Sequence, residues 1–376
     1  MHINRLTMIA AVLLFFCCLY TTAPGGPIAA PQGARPQSSS APPPPSDRPV
    51  EQVRKNIKAL QGMPDFQLIP AMQFIDAALG VNCAYCHVRE GSEWAFEKDD
   101  KKEKQVAREM ISMTREINRG SFKGMMEVSC FTCHRGSAHP LSAVPLPVTP
   151  AGPPPPRAAG AVPSAADVLK KFEEALGGKA ALQKAVSRTA RGTVIDGQGN
   201  KFPVEVNQKA PDKLVVIVTT PQGTMSRGLE GSRGWVKTAQ GVRDPSPGET
   251  AHLQRLGDFY WAVKLLERNV NQSIVRKDKV GGRDAYLLRL PLQAGAVELL
   301  YFDAETGLLL RRMERTDTLV GPLAEQLDFG DYREVNGIKL PFEIRVNGVD
   351  PRGDFTLKYS EVTPDVPLDD SLFRRP

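Results

Sequence analysis

The chain has 376 residues and a formal net charge of +6, with 48 Lys and Arg against 42 Asp and Glu. This length suggests two domains once an N-terminal leader is set aside. The small charge excess is spread thinly along the chain. Because no basic stripe of the kind that binds nucleic acid is found, we predict no nucleic-acid partner.

The N-terminus is typical of an exported protein. Arg5 precedes a 13-residue apolar run over residues 8–20, and a small-residue segment follows it. Together they predict a signal peptide or a retained anchor over residues 1–30. The run is short for a membrane-spanning helix, which needs about 20 apolar residues. Cys17 and Cys18 leave lipidation open, the alternative being that they are ordinary apolar residues of the leader. We therefore expect a periplasmic or exported protein, either free or anchored through its N-terminus.

Two proline-rich stretches divide the rest of the chain. Residues 31–49 are rich in Pro, Ser and Ala, and residues 139–163 contain repeated prolines. Such stretches resist helix and sheet and behave as extended spacers. They predict a first domain over residues 50–138 and a second over residues 164–376.

The first domain has the pattern of a small all-α fold. Its apolar residues recur at helical spacing in three stretches: Val50, Val53, Ile57 and Leu60; Met72, Ile75 and Leu79; Val106, Met110, Met113 and Ile117. A domain of this size with three helices has a thin core. Such a domain needs apolar surface from a source other than its own side chains.

Two copies of one motif lie in this domain. Residues 83–87 read Cys-Ala-Tyr-Cys-His and residues 130–134 read Cys-Phe-Thr-Cys-His. In such a C-x-x-C-H sequence, two thiols one turn apart can form thioethers with one haem while the adjacent histidine reaches the iron. We therefore predict two covalent haem c groups, held by Cys83, Cys86, Cys130 and Cys133, with His87 and His134 as iron ligands.

The cysteine count supports this assignment. The chain has six cysteines, two in the leader and four in the motifs, so none remains for a structural disulfide. A redox dithiol at either pair is one alternative. A zinc ion held by all four cysteines is another, but it would leave His87 and His134 unexplained.

The second axial ligand of each iron decides between electron transfer and catalysis. Only His139 and His252 remain as further histidines outside the leader, whereas methionines are more plentiful. Met72 stands 11 residues before Cys83, on a helix expected to end at Gly80, so the chain can turn back over the haem. Met110 stands 20 residues before Cys130, and the candidates that compete with it are Met113, Met125 and Met126. Methionines at helical spacing also commonly fill a core.

The surroundings of both motifs resemble the cytochrome subunit of photosynthetic reaction centres. The similar stretches are residues 69–74 with 79–83, and residues 107–118 with 128–136. That family holds each haem in a helix, a turn and a C-x-x-C-H motif, with a helical methionine as sixth ligand. The resemblance implies Met72 and Met110 as ligands and favours Met110 over Met113. The familiar family member carries four haems and a further histidine ligand where residues 119–129 here contain none.

The second domain has the pattern of an α+β antiparallel sheet. Ser164 caps a predicted helix that ends at Gly177 and Gly178, and an amphipathic helix is expected near residues 249–268. We count about eleven short strands, including residues 214–218, 285–290, 297–302, 308–313 and 338–346, with a hairpin turn at Asn336 and Gly337.

Its turns and strands are similar to those of LolA-like outer-membrane lipoprotein carriers. The stretches that carry this resemblance are residues 301–308, 335–341 and 367–373. The resemblance implies a half-barrel with helices plugging a cavity that can hold acyl chains, and hence a lipid or lipoprotein ligand. Trp261 and Phe259 are candidates either to line such a cavity or to pack in the core.

Together, the sequence predicts an exported di-haem c-type cytochrome for single-electron transfer. Its partners would be redox proteins in the periplasm or at the membrane. Two alternatives stay open: a peroxidase-like haem oxidoreductase with an open iron site, and a lipid-binding protein whose haems report redox state.

Overall fold

The computed structural model describes residues 48–141, 162–268, 274–291, 297–349 and 353–376. The predicted leader, most of the tether and most of the proline-rich linker lie outside the described residues. We call residues 48–141 the first region and residues 162–376 the second region. Among the described residues, no helix is both long enough and apolar enough to cross a membrane.

The first region contains four α-helices and one small sheet. In chain order the elements are α1 (Val50–Val53), α2 (Leu68–Leu79), β1 (Val88–Glu90), β2 (Glu93–Ala95), α3 (Lys102–Ser121) and α4 (Cys130–His134). Strands β1 and β2 form an antiparallel hairpin directly after the first motif. The prediction of an all-α first domain is therefore not confirmed.

One of the three predicted helical stripes differs from the observed helices. The first helix is only α1, because Arg54 is extended and Asn56 has a positive φ of 57°, so Ile57 and Leu60 lie outside any helix. The second stripe is confirmed by α2, which ends at Gly80 in the left-handed conformation. The third is confirmed as the helix α3, on which Ile111, Thr114 and Asn118 are buried, whereas Val106, Met110 and Met113 are exposed.

The second region begins with two helices and continues mainly as strands. Its elements are α5 (Ala165–Leu176), α6 (Lys179–Lys184), β3 (Ser187–Asp196), β4 (Lys201–Lys209), β5 (Lys213–Thr220), β6 (Gly223–Glu230), β7 (Arg233–Thr238), β8 (Gly241–Arg243), α7 (Pro247–Gly257), α8 (Trp261–Glu267), β9 (Ile274–Val280), β10 (Arg283–Pro291), β11 (Val297–Asp303), β12 (Leu309–Asp317), β13 (Pro322–Val335), β14 (Ile338–Asn347) and β15 (Phe355–Pro364).

These strands form one antiparallel sheet. The sheet order is β8-β7-β6-β5-β4-β3-β15-β14-β13-β12-β11-β10-β9. Neighbours in sequence pair within β3–β8 and within β9–β15, β8 and β9 are the two edge strands, and β15 joins the two halves by pairing with β3. The sheet has 13 strands among the described residues, two more than the sequence predicted. The extra strands are short or polar and lack a clear alternation of apolar residues.

The sheet must curve strongly, because one helix touches strands far apart in it. On α7, Leu253 packs in a cluster with Leu229 of β6, while Arg255 pairs with Glu314 of β12 and His252 with Glu325 of β13. Strands β6 and β13 are six places apart, about 29 Å in a flat sheet, whereas an 11-residue helix is about 16 Å long. The sheet is therefore a half-barrel with α7 inside it.

Helices on the concave side complete two apolar cores. Helices α5 and α8 pack against β10, β11 and β12, with Phe172, Leu288 and Phe302 among the buried residues. Helix α7 covers β3 to β6 through Leu253. The predicted helix near residues 249–268 is thus two helices, α7 and α8, separated at Asp258.

Local sequence signals in this region are confirmed. Ser164 caps α5 with a reciprocal pair of bonds to Asp167, the Ser164 Oγ accepting from the Asp167 N–H at 3.1 Å. Asn336 and Gly337, both with positive φ, form the turn between β13 and β14.

The two regions meet at the turn between β12 and β13. Val320 in this turn is 2% exposed and packs in the apolar cluster of the first region with Phe74 and Ile111. Gly321 has a φ of +151°, and a Cβ there would lie 2.5 Å from the Phe74 ring. The turn also reaches the second motif, since the Cys130 Sγ lies 3.8 Å from the Val320 carbonyl oxygen.

Candidate haem sites

The first motif is held in a tight turn. Cys83 begins a 3₁₀ turn over Cys83–Tyr85, and the Asn82 side chain caps it by accepting from the Ala84 N–H at 3.0 Å. The His87 N–H donates to the Cys83 carbonyl at 3.0 Å, which places the histidine one turn after the first cysteine. This arrangement allows the two thiols and the imidazole of the motif to bind one haem.

His87 is half-buried against Phe96. The two rings meet edge to face with centroids 5.1 Å apart. Burial lowers the pKa of His87, and the charge of Lys104 lowers it further. The neutral imidazole that results is the form that binds a metal. Its Nδ1 atom is buried without a hydrogen-bond partner among the described residues.

A charged cluster fixes the loop that carries Phe96. Lys104 is buried and donates to the Phe96 carbonyl at 2.9 Å and to the Lys98 carbonyl at 2.6 Å. Asp99 accepts from Lys58 and Asn56 and pairs with Arg108, and these donors hold the pKa of Asp99 far below its usual range. The loop is thereby tied to α3, so Phe96 and His87 keep their relative position.

The second motif forms a short helix, α4. Ser129 and Thr132 cap it reciprocally, with the Ser129 N–H donating to Thr132 Oγ1 at 3.0 Å. The Nδ1 atom of His134 lies 2.9 Å from the Ser137 carbonyl oxygen. In the neutral tautomer that donates this bond, Nε2 carries no proton and is free to bind a metal.

Asn118 at the end of α3 positions the approach to this motif. Its Oδ1 accepts from the backbone N–H of Val128 at 2.9 Å and of Glu127 at 3.1 Å, while its Nδ2 donates to the Val128 carbonyl at 2.6 Å. The same Nδ2 lies 3.3 Å from the Met126 Sδ. Sequence reasoning did not assign Asn118 this role, because its burial in the last turn of α3 is a tertiary feature that the sequence does not show.

None of the four motif cysteines forms a disulfide with another described cysteine. Cys83, Cys86 and Cys130 are partly buried and Cys133 is exposed, and the Cys83 Sγ lies 3.7 Å from the Asp76 Oδ2. Burial raises the pKa of Cys86 and Cys130, whereas redox-active dithiols have lowered thiol pKa values. Among the described residues, no three or more His, Cys, Asp or Glu side chains converge on a metal position.

The end of α2, just before the first motif, contacts the residues just after the second motif. The Gly136 N–H, just after the second motif, donates to the Ala78 carbonyl at 2.8 Å. A Cβ on Gly80 would lie 2.1 Å from the Gly136 carbonyl oxygen, and Gly80 has a positive φ of 66°. Only glycine fits at Gly80, and it brings the end of α2 onto the second motif.

The methionines predicted as ligands lie on two different surfaces. Met72 is partly buried and packs against the same apolar cluster as Cys130. Met110 is 36% exposed on α3, with Met113 one turn further along the same stripe. The side chains do not by themselves assign Met72 to the first motif, so both methionine ligands stay predictions.

The first region exposes much apolar surface for its size. Its exposed large hydrophobic residues are Ile69, Phe96, Val106, Met110, Met113, Met125, Phe131 and Leu141. In the described part of the second region, which is about twice as long, only Val162 and Val186 are of this kind. A large planar apolar group bound at each motif would cover such surface, so the residues present fit two haems.

Comparison with known proteins agrees with this site. Residues 29–151 match the family model of the photosynthetic reaction centre cytochrome C subunit. A curated relative, cytochrome c-554 of Chloroflexus aurantiacus, is 32% identical over 92 residues, which make up 23% of this chain. The chain spans about a fifth of that relative, 21% of its length. The similarity therefore concerns a cytochrome-type first region.

Solved structures resemble the second region. They include a DUF1329 family protein from Desulfovibrio piger (16% identity, TM-score 0.40, 56% of this chain and 95% of that chain). A LolA superfamily protein from Nitrosomonas europaea gives 15% identity and a TM-score of 0.39 over 57% of this chain and 98% of its own. A putative outer membrane lipoprotein-sorting protein domain from Vibrio parahaemolyticus has 12% identity and a TM-score of 0.37, over 55% of this chain and 95% of its own. The neighbours are thus of the LolA-like kind that the sequence suggested, and TM-scores this low say nothing about a ligand.

Proposed function

We propose that this protein is an exported di-haem c-type cytochrome that transfers single electrons. Cys83 and Cys86 would hold one haem, and Cys130 and Cys133 the other. His87 with Met72, and His134 with Met110, would be the axial ligands. The domain limits of 50–138 for the haem domain and 164–376 for the LolA-like domain are part of this proposal.

The observation that carries the proposal is the exposed apolar stripe of α3 beside two ordered C-x-x-C-H turns. Val106, Met110 and Met113 are 50%, 36% and 43% exposed, although they lie on the most regular helix of the region. Leaving such side chains in water costs roughly 25 cal/mol per Å² of apolar surface. A porphyrin packed on this stripe would remove that cost. Met110 on the stripe would then offer its thioether to the iron.

The chain's own residues supply burial and orientation. Ser137 orients His134 through Nδ1, and the loop tied by Lys104 holds Phe96 against His87. Bound haem supplies one-electron redox chemistry, and a thioether ligand raises its potential. The contact of Gly80, three residues before the first motif, with Gly136, two residues after the second, keeps the two sites close and so supports electron exchange between them.

A peroxidase-like oxidoreductase is the competing proposal. It requires one iron without a protein sixth ligand, and the exposure of Met110 is the feature that would allow it. Lipid carriage by the second region has less support. The cavity beside Arg188, Phe259 and Tyr260 has a volume of about 40 Å³, which is small for an acyl chain.

The two aromatic candidates for a cavity lining differ. Trp261 packs against the core of α5 and α8, with the Arg312 guanidinium 4.8 Å from the centre of its ring. Phe259 lines the small cavity, with the Arg188 guanidinium 4.9 Å from the centre of its ring.

Spectroelectrochemical titration of the holoprotein, with and without carbon monoxide, tests the proposal. We expect two low-spin centres of relatively high potential that do not bind carbon monoxide. A high-spin component that binds carbon monoxide would contradict His/Met ligation at that haem and favour the oxidoreductase.

A further inference from the structure

The concave face of the half-barrel carries a row of three carboxylates. Glu298 on β11 pairs in register with Glu314 on β12, and Glu314 pairs with Glu325 on β13. Glu298 is 1% exposed, and the other two side chains are less than one-fifth exposed. Like charges at directly opposed positions destabilise a sheet unless cations compensate them.

Each carboxylate of this row has its own cation. Arg312 Nε lies 2.8 Å from Glu298, and Arg268 lies 3.3 Å from the same residue. From α7, Arg255 Nε lies 2.8 Å from Glu314 and His252 Nδ1 lies 3.3 Å from Glu325. A buried charge is tolerated only when it is paired in this way.

A fourth carboxylate, Glu249 at the start of α7, is also engaged. The two terminal nitrogens of Arg243 lie 2.7 and 2.8 Å from its two oxygens, and the Ser246 N–H donates to it at 2.8 Å. We call these residues together with Arg227 the inner charged layer. Its members are Glu249, Glu298, Glu314, Glu325, Arg227, Arg243, Arg255, Arg268, Arg312 and His252.

One cation of this layer has no partner among the described residues. Arg227 on β6 lies between Val216 of β5 and Val236 of β7, beside fully buried Leu229. Its Nε atom is buried without a hydrogen-bond partner, and none of the described carboxylates forms an ion pair with it. Burial lowers the pKa of Arg227, and Glu249 and Glu325 oppose this only from a distance.

Arg227 as a whole is half-buried, and its buried Nε without a partner calls for an anionic acceptor. Arginine does not lose its proton in proteins, so it cannot relieve the cost of burial by becoming neutral. Desolvation of a charge costs several kcal/mol, and Glu249 and Glu325 already have partners. Each of the four carboxylates of the inner charged layer thus has at least one cation at ion-pair distance, whereas Arg227 has no carboxylate at that distance among the described residues.

We propose that Arg227 is the anion-binding residue of a ligand site inside the half-barrel, which takes a carboxylate or phosphate group. The guanidinium offers forked donors that suit either group. Buried Val216, Val236 and Leu253 surround it, so an apolar tail attached to the anion would also find contacts. The proposal does not depend on the haem assignment.

The test is thermal unfolding of the full-length holoprotein with inorganic phosphate, acetate or decanoate, each against chloride at equal ionic strength. We expect at least one of these anions to raise the midpoint of the second region's transition, as a ligand of the native state does. Phosphate binding alone would identify a phosphate site. A larger shift with decanoate than with acetate would identify an amphiphile with a carboxylate head.

Arg227→Met and Arg227→Lys separate a ligand site from a structural cation. Arg227→Met should abolish the anion-dependent shift and leave the anion-free midpoint equal or higher, because it removes an unpaired buried charge. Arg227→Lys should keep the shift with affinity reduced about tenfold, since the forked geometry is lost. Arg276→Met, at a side chain that is 65% exposed, is the matched control and should keep the full shift.

Two results would overturn the proposal. One is that none of the three anions shifts the wild-type midpoint. The other is that Arg227→Met lowers the anion-free midpoint well below that of Arg276→Met, which would show that Arg227 stabilises the fold through Glu249 and Glu325. If the Arg227→Met variant does not fold, Arg227→Gly and Arg227→Lys take its place. An anion-dependent shift of the midpoint that is unchanged in Arg227→Gly would then contradict the proposal. So would the absence of that shift from Arg227→Lys.

Discussion

The two regions differ in how much of their apolar side-chain surface is exposed to solvent. In the second region Phe172, Leu288 and Phe302 are at most 2% exposed, and helices cover both halves of the sheet. In the first region a regular helix, α3, buries Thr114 and Asn118 and turns Val106, Met110 and Met113 toward solvent. The second region closes its own core, whereas the first is arranged around something that the polypeptide does not supply. This difference leads to predictions of decreasing size.

The largest effect should follow loss of a covalent attachment site. In the double variant Cys130→Ser/Cys133→Ser, the holoprotein should keep one haem of two and lose the folded first region, because α4 contacts α2 at the base of the thin core. The second region's calorimetric transition should stay in place. A first region that remains as stable as wild type without this haem would contradict the account.

Loss of a methionine ligand should have a smaller effect that stays at one haem. Met110→Ala should remove the far-red absorption of a methionine-bound ferric haem. It should also lower the potential of one haem by a sizeable part of the roughly 0.8 V that axial ligands span. Met113→Ala, on the same exposed stripe, is the control and should leave both properties unchanged. The reverse result would make Met113 the ligand.

In the second region, acid should act through Glu325. Burial raises the pKa of this carboxyl, but His252, Arg255 and Arg312 lower it to about 2 from an ordinary value of 4.5. This depressed pKa stabilises the fold above about pH 4.5 by on the order of 3 kcal/mol, and that stability is lost as the pH falls toward 2.

The measurement for Glu325 is urea unfolding of the second region at several pH values, for wild type and Glu325→Gln. The variant should be less stable at pH 6 and should lose less stability on acidification. Glu314 acts in the opposite direction, because burial raises the pKa of its carboxyl. Protonation of Glu314 at low pH therefore stabilises the folded state. Equal acid dependence in wild type and Glu325→Gln would contradict the assignment.

The smallest effect concerns the contact between the regions. Gly321→Ala should weaken the packing of the β12–β13 turn on Phe74 and destabilise the first region by about 1–3 kcal/mol, because its Cβ would meet the ring. Gly282→Ala is the control, since Gly282 also has a positive φ of 83° but a Cβ there meets no atom within 4 Å. Equal effects of both variants in calorimetry would show that only backbone strain matters.

Sequence patterns were most informative where local chemistry decides the structure. The Ser164 cap, the Gly80 helix end and the Asn336–Gly337 turn are each determined by one or two residues and their neighbours. The spacing of the motifs likewise indicated haem attachment without tertiary information.

Three features could not be read from the sequence because tertiary contacts decide them. Periodicity predicted the apolar stripe of α3 but not its exposure, since it cannot distinguish a side that packs on protein from one that packs on a cofactor. The first predicted helix ends at Val53, because the backbone at Asn56 leaves the helical region. The inner charged layer joins residues from α7 and distant strands, a pairing that only the curved sheet brings about.

The most direct test of the central claim is the mass of the holoprotein under denaturing conditions, followed by peptide mapping. Because thioethers survive denaturation, we predict a polypeptide heavier by two haem masses, with one haem on the peptide containing Cys83 and Cys86 and one on that containing Cys130 and Cys133. A chain of unmodified mass, or one that carries a single haem after expression with full haem maturation, would contradict the view that the first region is built around two covalent haems.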